Sequence, residues 1–195
     1  MALDPVETAG AVFGFVYVLL AIRENAWCWP IGIANAALFL VVYGHARLYG
    51  AAALQVVYLV VSFYGWYEWL HGGEAHGRLR VSRTPGRWAV ALAAAGLAAT
   101  LVFGLFLKYR TDAALPFPDA ATTAFSLVAQ WMATRKWLGN WLVWIVVDVG
   151  YVAICLSQRL YPMSALYALF LVLAVFGHRE WRASLAQPAA AEAAA

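Results

Sequence analysis

The sequence predicts an all-α integral membrane protein with seven transmembrane helices, and three observations lead to that prediction. Of the 195 residues, 65% are hydrophobic and only 12% are charged, about half the charged share of a soluble domain. The apolar residues form long continuous runs rather than the alternating pattern of membrane β-strands. A soluble domain of this size could not cover so much apolar surface, which excludes a soluble globule, a disordered chain and a disulfide-rich secreted domain.

Seven apolar segments follow one another along the chain, each near the ~20 residues that a membrane-spanning helix needs. Pro30 and Pro162 fall in the first turns of their segments, where a missing backbone N–H costs least. The Ala-rich segment 183–195 is predicted to be a disordered tail. The predicted spans are residues 6–22, 27–43, 49–70, 88–107, 119–134, 137–157 and 162–181.

Basic residues are distributed unequally between the two sides of the predicted bundle. The connections after the first, third and fifth helices and the C-terminal end hold nine Lys and Arg, whereas the other side holds four. Cytoplasmic loops carry the excess of positive charge in membrane proteins. The sequence therefore predicts an N-terminus outside the cell and a C-terminus in the cytoplasm.

A shift of 112 residues lays the chain over itself without a gap, with 13 identities between residues 23–69 and 135–181. The shift places helices 2 and 3 on helices 6 and 7, so helix 1 corresponds to helix 5 and helix 4 is a linker. That fourth crossing restores the orientation that three crossings reverse, so the predicted arrangement is 3+1+3 with parallel repeats. The identical pairs include Arg23–Arg135, Trp29–Trp141, Gly65–Gly177, Glu68–Glu180 and Trp69–Trp181.

The repeat predicts the organisation of the chain. The first three-helix repeat covers residues 1–70 and the second covers 119–182. Residues 71–118 hold a basic cytoplasmic loop, the linker helix (about 88–107) and an outer loop. Transporters with internal repeats bind their substrate at the repeat interface near the middle of the membrane.

Positions that differ in polarity between the repeats are the most informative about function. Ala36 corresponds to Asp148, and Gln55 corresponds to Tyr167. Asp148 lies in the middle of the sixth span, and no Lys or Arg lies in the middle of any span to pair with it, since Arg179 is at the end of the seventh. An ionised carboxylate there costs ~2.5–3.5 kcal/mol on insertion scales, which indicates a functional site. The alternative is a protonated or hydrogen-bonded aspartate that packs helices.

Other polar and aromatic side chains recur at helical spacing around Asp148. Asn140, Trp144, Asp148 and Tyr151 share one face of helix 6, and hydroxyls and amides repeat on helices 3 and 5. They predict an aromatic, amide-lined central pocket, the alternative being hydrogen bonds that join helices. The predicted substrate-binding residues are Asn35, Gln55, Tyr58, Trp66, Gln130, Asn140, Trp141, Trp144, Asp148 and Tyr151.

Such a pocket suits a small aromatic molecule, neutral or cationic, with hydroxyl groups. Indole and phenol rings attract flat or cationic rings, and a lone carboxylate disfavours phosphates.

The spans contain no paired carboxylates, nucleophile–base pair or metal-ligand set, so we expect no enzyme, cofactor or metal. A net charge of +3 does not suggest nucleic acid. Trp69, Trp88 and Trp181 lie at span ends and are predicted to anchor in the membrane interface.

The chain resembles the PnuC family of vitamin transporters over nearly its whole length, and the resemblance is clearest in two stretches. The third helix is similar in Leu54-Gln55-x-x-Tyr58 followed by Tyr64-Gly65-Trp66-Tyr67-x-Trp69, and the sixth in Asn140-Trp141-x-x-Trp144 followed by Asp148. Ala129-Gln130-Trp131 and Leu166-Tyr167-Ala168-Leu169-Phe170 are also similar. One departure is Gly139, where the family often has Glu before Asn-Trp.

The resemblance implies a 3+1+3 fold and uptake of nicotinamide riboside across the bacterial inner membrane. It also implies facilitated diffusion with alternating access, a cytoplasmic kinase that traps the substrate by phosphorylation, and a homotrimer. Similar proteins are assigned to thiamine, riboflavin or deoxynucleosides, and thiamine is the first alternative here because it is also a cationic aromatic molecule.

Overall fold

A computed structural model describes residues 5–45, 47 and 49–193. Over these residues the chain forms seven α-helices and one short 3₁₀ turn at Glu74–His76, with a single isolated β-bridge and no β-strand. The predicted all-helical, seven-helix fold is confirmed. The helices are α1 Pro5–Ile22, α2 Cys28–His45, α3 Tyr49–His71, α4 Gly86–Arg110, α5 Pro116–Thr134, α6 Gly139–Ser157 and α7 Tyr161–Ala193.

Among the described residues, four helices are long enough and apolar enough to cross a bilayer by length and composition. They are α2, α4, α6 and the Tyr161–Ala186 part of α7, and the shorter apolar stretch Ala9–Ile22 lies in α1. Helices α3 and α5 have 23 and 19 residues, which at 1.5 Å per residue give about 35 and 28 Å. Both helices carry polar side chains, which include Gln55, Ser62 and Glu68 in α3 and Ser126 and Gln130 in α5.

The C-terminal end of α7 differs from the sequence prediction. The helix continues through residues 183–193, where a disordered tail was predicted. This segment is rich in Ala, which has the highest intrinsic helix propensity. The backbone therefore continues the helix beyond the predicted span.

The described chain divides into two compact units, one up to Arg80 and one from Val81 onward. In the first unit α1 packs on α2 and α2 packs on α3. In the second unit α4 packs on α5, α5 on α6 and α6 on α7. The order of three helices, one linker helix and three helices is the order predicted from the repeat.

One cluster of aromatic residues occurs in the same form in both units. In the first unit Trp29 lies against Gly65, where an added methyl group would come within 2.5 Å of the indole. The same indole meets Trp69 edge-on, with ring centroids 5.5 Å apart and planes at 89°. Small residues allow helices to approach this closely in membranes.

The second unit repeats this cluster 112 positions later. Trp141 lies against Gly177, where an added methyl group would come within 2.6 Å of the indole. Trp141 meets Trp181 edge-on at 5.3 Å and 85°. The hairpins α2–α3 and α6–α7 therefore pack in the same antiparallel register, so the sequence repeat is also a structural repeat.

This cluster corrects the prediction for two tryptophans at span ends. Trp69 and Trp181 are only 2% and 1% exposed, so they are packing residues and not interfacial anchors. A helix end places a ring near the interface, but the glycine on the same turn lets the neighbouring helix cover it. Trp88 is 43% exposed, as expected for an anchor.

The basic loop after α3 is held by backbone hydrogen bonds. Within the second unit, the N–H of Ser82 donates to the Lys136 carbonyl at 3.1 Å, and the N–H of Leu138 donates to the Ser82 carbonyl at 2.9 Å. The Gly139 N–H also donates to the Thr84 hydroxyl at 3.2 Å. The start of α6 is thereby fixed to the segment that leads into α4.

Candidate functional site

Asp148 is buried at the centre of α6, with 4% of its surface exposed. No hydrogen bond or ion pair joins its carboxylate to another side chain in the described part of the chain. Helix α6 is packed between α5 and α7, so the carboxylate lies inside the second unit and not on the lipid-facing side. A buried carboxylate of this kind is costly for packing alone and is typical of a binding site.

Two tyrosines stack on each other one helical turn from Asp148. The rings of Tyr151 in α6 and Tyr167 in α7 have centroids 4.4 Å apart and planes at 13°. Phe170 meets Tyr167 nearly edge-on at 6.4 Å. The second unit therefore combines a carboxylate with an aromatic group that spans two helices.

Tyr167 was not among the predicted binding residues. A tyrosine in a membrane helix does not stand out in a sequence this rich in aromatic residues. The signal that could have identified it was its mismatch with Gln55 across the repeat. Its contact with Tyr151 depends on the register of α6 against α7, which only the structure gives.

Asn140 and Trp141 lie in the packing at the start of α6. Asn140 is 1% exposed, and its side-chain N–H donates to the Trp137 carbonyl at 2.7 Å. Trp141 is 4% exposed and packs on Gly177. The side chain of Asn140 thus stabilises the turn before α6, and the indole of Trp141 joins α6 to α7.

Trp144 and Gln130 are the other predicted residues of the second unit. Trp144 is half-buried on α6, and Gln130 is buried on α5 with 7% exposure. The hydroxyls of Ser126 and Thr134 on α5 donate to carbonyls of their own helix. These two hydroxyls are therefore engaged by the α5 backbone.

The remaining predicted residues lie in the first unit. Asn35 is half-buried on α2, and its carbonyl oxygen is buried with no hydrogen-bond partner among the described residues. Gln55, Tyr58 and Trp66 are half-buried on α3. Gln130, Asn140, Trp141, Trp144, Asp148 and Tyr151 thus lie in the second unit, and the other four predicted residues lie in the first.

The Gly139 departure has a local structural reason. An added methyl group at Gly139 would come within 2.5 Å of the Thr84 hydroxyl oxygen. The space next to the start of α6 is filled by Thr84, which also accepts the Gly139 N–H. A larger residue at position 139 would displace Thr84.

An apolar groove of about 530 Å³ lies between α5 and α6. It contains none of the predicted binding residues, and Thr122 and Ser157 are its only hydroxyl-bearing residues. Over the described residues, no group of three His, Cys, Asp or Glu side chains could hold a metal ion. The aspartate and the stacked tyrosines are therefore the strongest candidate site in the second unit.

The helices and this site define a multi-pass membrane protein with a polar, aromatic interior. Residues 4–183 match the family model described as nicotinamide mononucleotide transporter. The chain belongs to this family of membrane transporters, and it is a transporter and not an enzyme.

Three proteins illustrate the similarity. The riboflavin/roseoflavin transporter RibM of Streptomyces davaonensis is 29% identical over 179 residues, which cover 90% of this chain and 83% of that protein. The nicotinamide riboside transporter PnuC of Escherichia coli is 28% identical over 201 residues, covering 90% and 84%. A crystal structure of the vitamin B3 transporter PnuC matches with a TM-score of 0.72 and 23% identity, covering 93% of this chain and 82% of that one, and supports the same fold.

Proposed function

We propose that this protein takes up nicotinamide riboside across the bacterial inner membrane by facilitated diffusion with alternating access. The observation that carries the proposal is Asp148, a buried carboxylate beside stacked aromatic rings in the second unit. Nicotinamide riboside carries a positive charge on a flat ring. A carboxylate attracts that charge, and ring faces attract both the ring and its charge.

Charge also favours the riboside over the mononucleotide in the family description. A phosphate group would bring negative charge towards a carboxylate that no described side chain neutralises. In a medium of low dielectric constant such repulsion is strong. We therefore infer an unphosphorylated substrate.

The same charge selectivity explains how a passive transporter could give net uptake. A cytoplasmic kinase would add a phosphate to the riboside after entry. The phosphorylated product would be disfavoured by Asp148 and would not leave by the same route. Phosphorylation in the cytoplasm would then determine the direction of net transport, which is into the cell.

Riboflavin is the second candidate, because a riboflavin transporter is as similar to this chain as the nicotinamide riboside transporter is. The flavin ring is neutral, so it would use the stacked tyrosines but gain less from Asp148. Thiamine is also a cationic aromatic molecule and would satisfy the same charge argument. The three ligands differ in ring size and charge, which makes them distinguishable by binding.

The test is calorimetric titration of the purified protein in detergent with nicotinamide riboside, thiamine, riboflavin and nicotinamide mononucleotide. We expect nicotinamide riboside to bind most tightly and the mononucleotide most weakly. Tighter binding of riboflavin would contradict the proposed substrate and indicate a riboflavin transporter. Equal binding of the riboside and the mononucleotide would contradict the role of Asp148.

A further inference from the structure

The two repeats share one packing register but differ at the turn next to Asp148, where Tyr151 of α6 meets Tyr167 of α7. The positions that correspond to Tyr151 and Tyr167 are Phe39 and Gln55. In the first repeat the ring of Phe39 stacks on Tyr43 of its own helix, with centroids 5.6 Å apart. In the second repeat both facing helices supply a ring. At these two corresponding positions of the described chain, a pair of stacked rings therefore occurs in the second repeat and not in the first.

The adjacent turn differs between the repeats as well. Asp148 stands where the first repeat has Ala36, and it lies three residues from Tyr151 on the same helix face. Three residues correspond to a rise of about 4.5 Å. The α6–α7 pair thus differs from the α2–α3 pair at two neighbouring turns. One turn has a carboxylate in place of Ala36, and the other has a ring in place of Gln55.

Helix packing alone does not account for the second tyrosine. The first repeat has Phe39 and Gln55 at the two corresponding positions, so the register does not require a stacked pair of phenols. Both Tyr151 and Tyr167 are only partly buried. An offset stack of two rings offers an extended, rigid aromatic face to a third ring.

We propose that Tyr167 is a specificity-determining residue, which with Tyr151 forms the surface on which the aromatic ring of the substrate stacks. Asp148 then lies about one helical turn from this surface on α6. This inference rests on the proposed function and adds a residue to its site. Tyr167 selects for a flat ring, and Asp148 selects for its charge.

The test compares Tyr167→Phe and Tyr167→Leu in calorimetric titrations with nicotinamide riboside. Phe keeps the ring, so we expect its affinity to stay within about threefold of the wild type. Leu keeps apolar packing but removes the ring, so we expect affinity to fall about tenfold or more, in line with the usual contribution of base–aromatic stacking. The matched control is Tyr43→Leu, which removes a stacked tyrosine from α2 and should change affinity by less than about threefold.

Thermal unfolding separates binding from packing. We expect similar unfolding temperatures for the ligand-free wild type and both Tyr167 variants, but a smaller ligand-induced rise for Tyr167→Leu. If Tyr167→Leu does not fold, Tyr167→Gln replaces it, because the first repeat has Gln at this register.

Two results would overturn the inference and leave the proposed function standing. They are wild-type affinity in the variant without the ring, and an equal loss in the Phe and Leu variants. If the wild-type protein itself binds no nicotinamide riboside, the proposed function fails, and the inference fails with it. The wild-type titration therefore distinguishes the two failures.

Discussion

The charge on residue 148 is the feature that most directly links this sequence to a substrate. A neutral substitute should weaken the binding of a cationic ligand and leave a neutral ligand nearly unaffected. For Asp148→Asn we expect a loss of about 2 kcal/mol for nicotinamide riboside, in the range of a partly screened charge pair. Calorimetric titration with the riboside and with riboflavin measures both effects.

The control for this change is Asp112→Asn, which makes the same substitution at an exposed position between α4 and α5. It should leave both affinities unchanged. An equal loss of riboside and riboflavin binding in Asp148→Asn would identify the carboxylate as a structural group.

At the residue scale, the sequence indicated Asp148 as a candidate because an ionisable side chain is rare within an apolar span. It did not indicate Tyr167, because the contact of Tyr167 with Tyr151 depends on which helix faces it. The local bond from Asn140 to the Trp137 carbonyl depends on the geometry of one turn, which residue spacing does not reveal.

At the element scale, the close contact of α6 with α7 depends on Gly177. An added methyl group would come within 2.6 Å of the Trp141 indole, and a buried tryptophan cannot move aside without disturbing Trp181. We expect Gly177→Ala to lower the free energy of unfolding by about 1–3 kcal/mol, the usual cost of overpacking. Chemical unfolding in detergent, followed by tryptophan fluorescence, measures the change.

Gly44 offers the matched control within a helix. Apart from its own helix backbone and chain neighbours, no atom of the described residues lies within 4 Å of a methyl group added there. Gly44→Ala should be neutral or stabilise the protein by up to about 1 kcal/mol, because Ala is the better helix former. A neutral effect of Gly177→Ala as well would show that the two helices can separate at no cost.

Most helices could be predicted because each is a continuous apolar run, and their observed bounds lie within a few residues of the predicted ones. The exception is the end of α7, where helix propensity extends the helix beyond the apolar run. The prediction that Trp69 and Trp181 are exposed at the membrane interface was also wrong. Trp29 and Trp141 of the neighbouring helices pack against them, and position along the chain does not reveal these contacts.

At the scale of the whole molecule, the 112-residue repeat correctly predicted the helix order and the shared register of two hairpins. It could not reveal the layer in which the second repeat has two stacked rings. The orientation predicted from the basic residues and the homotrimer implied by the family resemblance remain proposals.

Reporter fusions test the proposed orientation. An enzyme active only in the cytoplasm should be active when fused after residue 195, and inactive when fused in the segment between α4 and α5. The reverse pattern would contradict the N-terminus-outside topology. Mass measurement of the purified protein in detergent would test the trimer.

The central claim is tested most directly by the uptake of labelled nicotinamide riboside into proteoliposomes that contain only this protein. We expect saturable entry that stops when the internal concentration equals the external one, without ATP. Enclosing a nicotinamide riboside kinase with ATP should then raise the total internal label above that level. Accumulation of unmodified riboside above the external concentration, or no saturable entry at all, would contradict facilitated diffusion of this substrate.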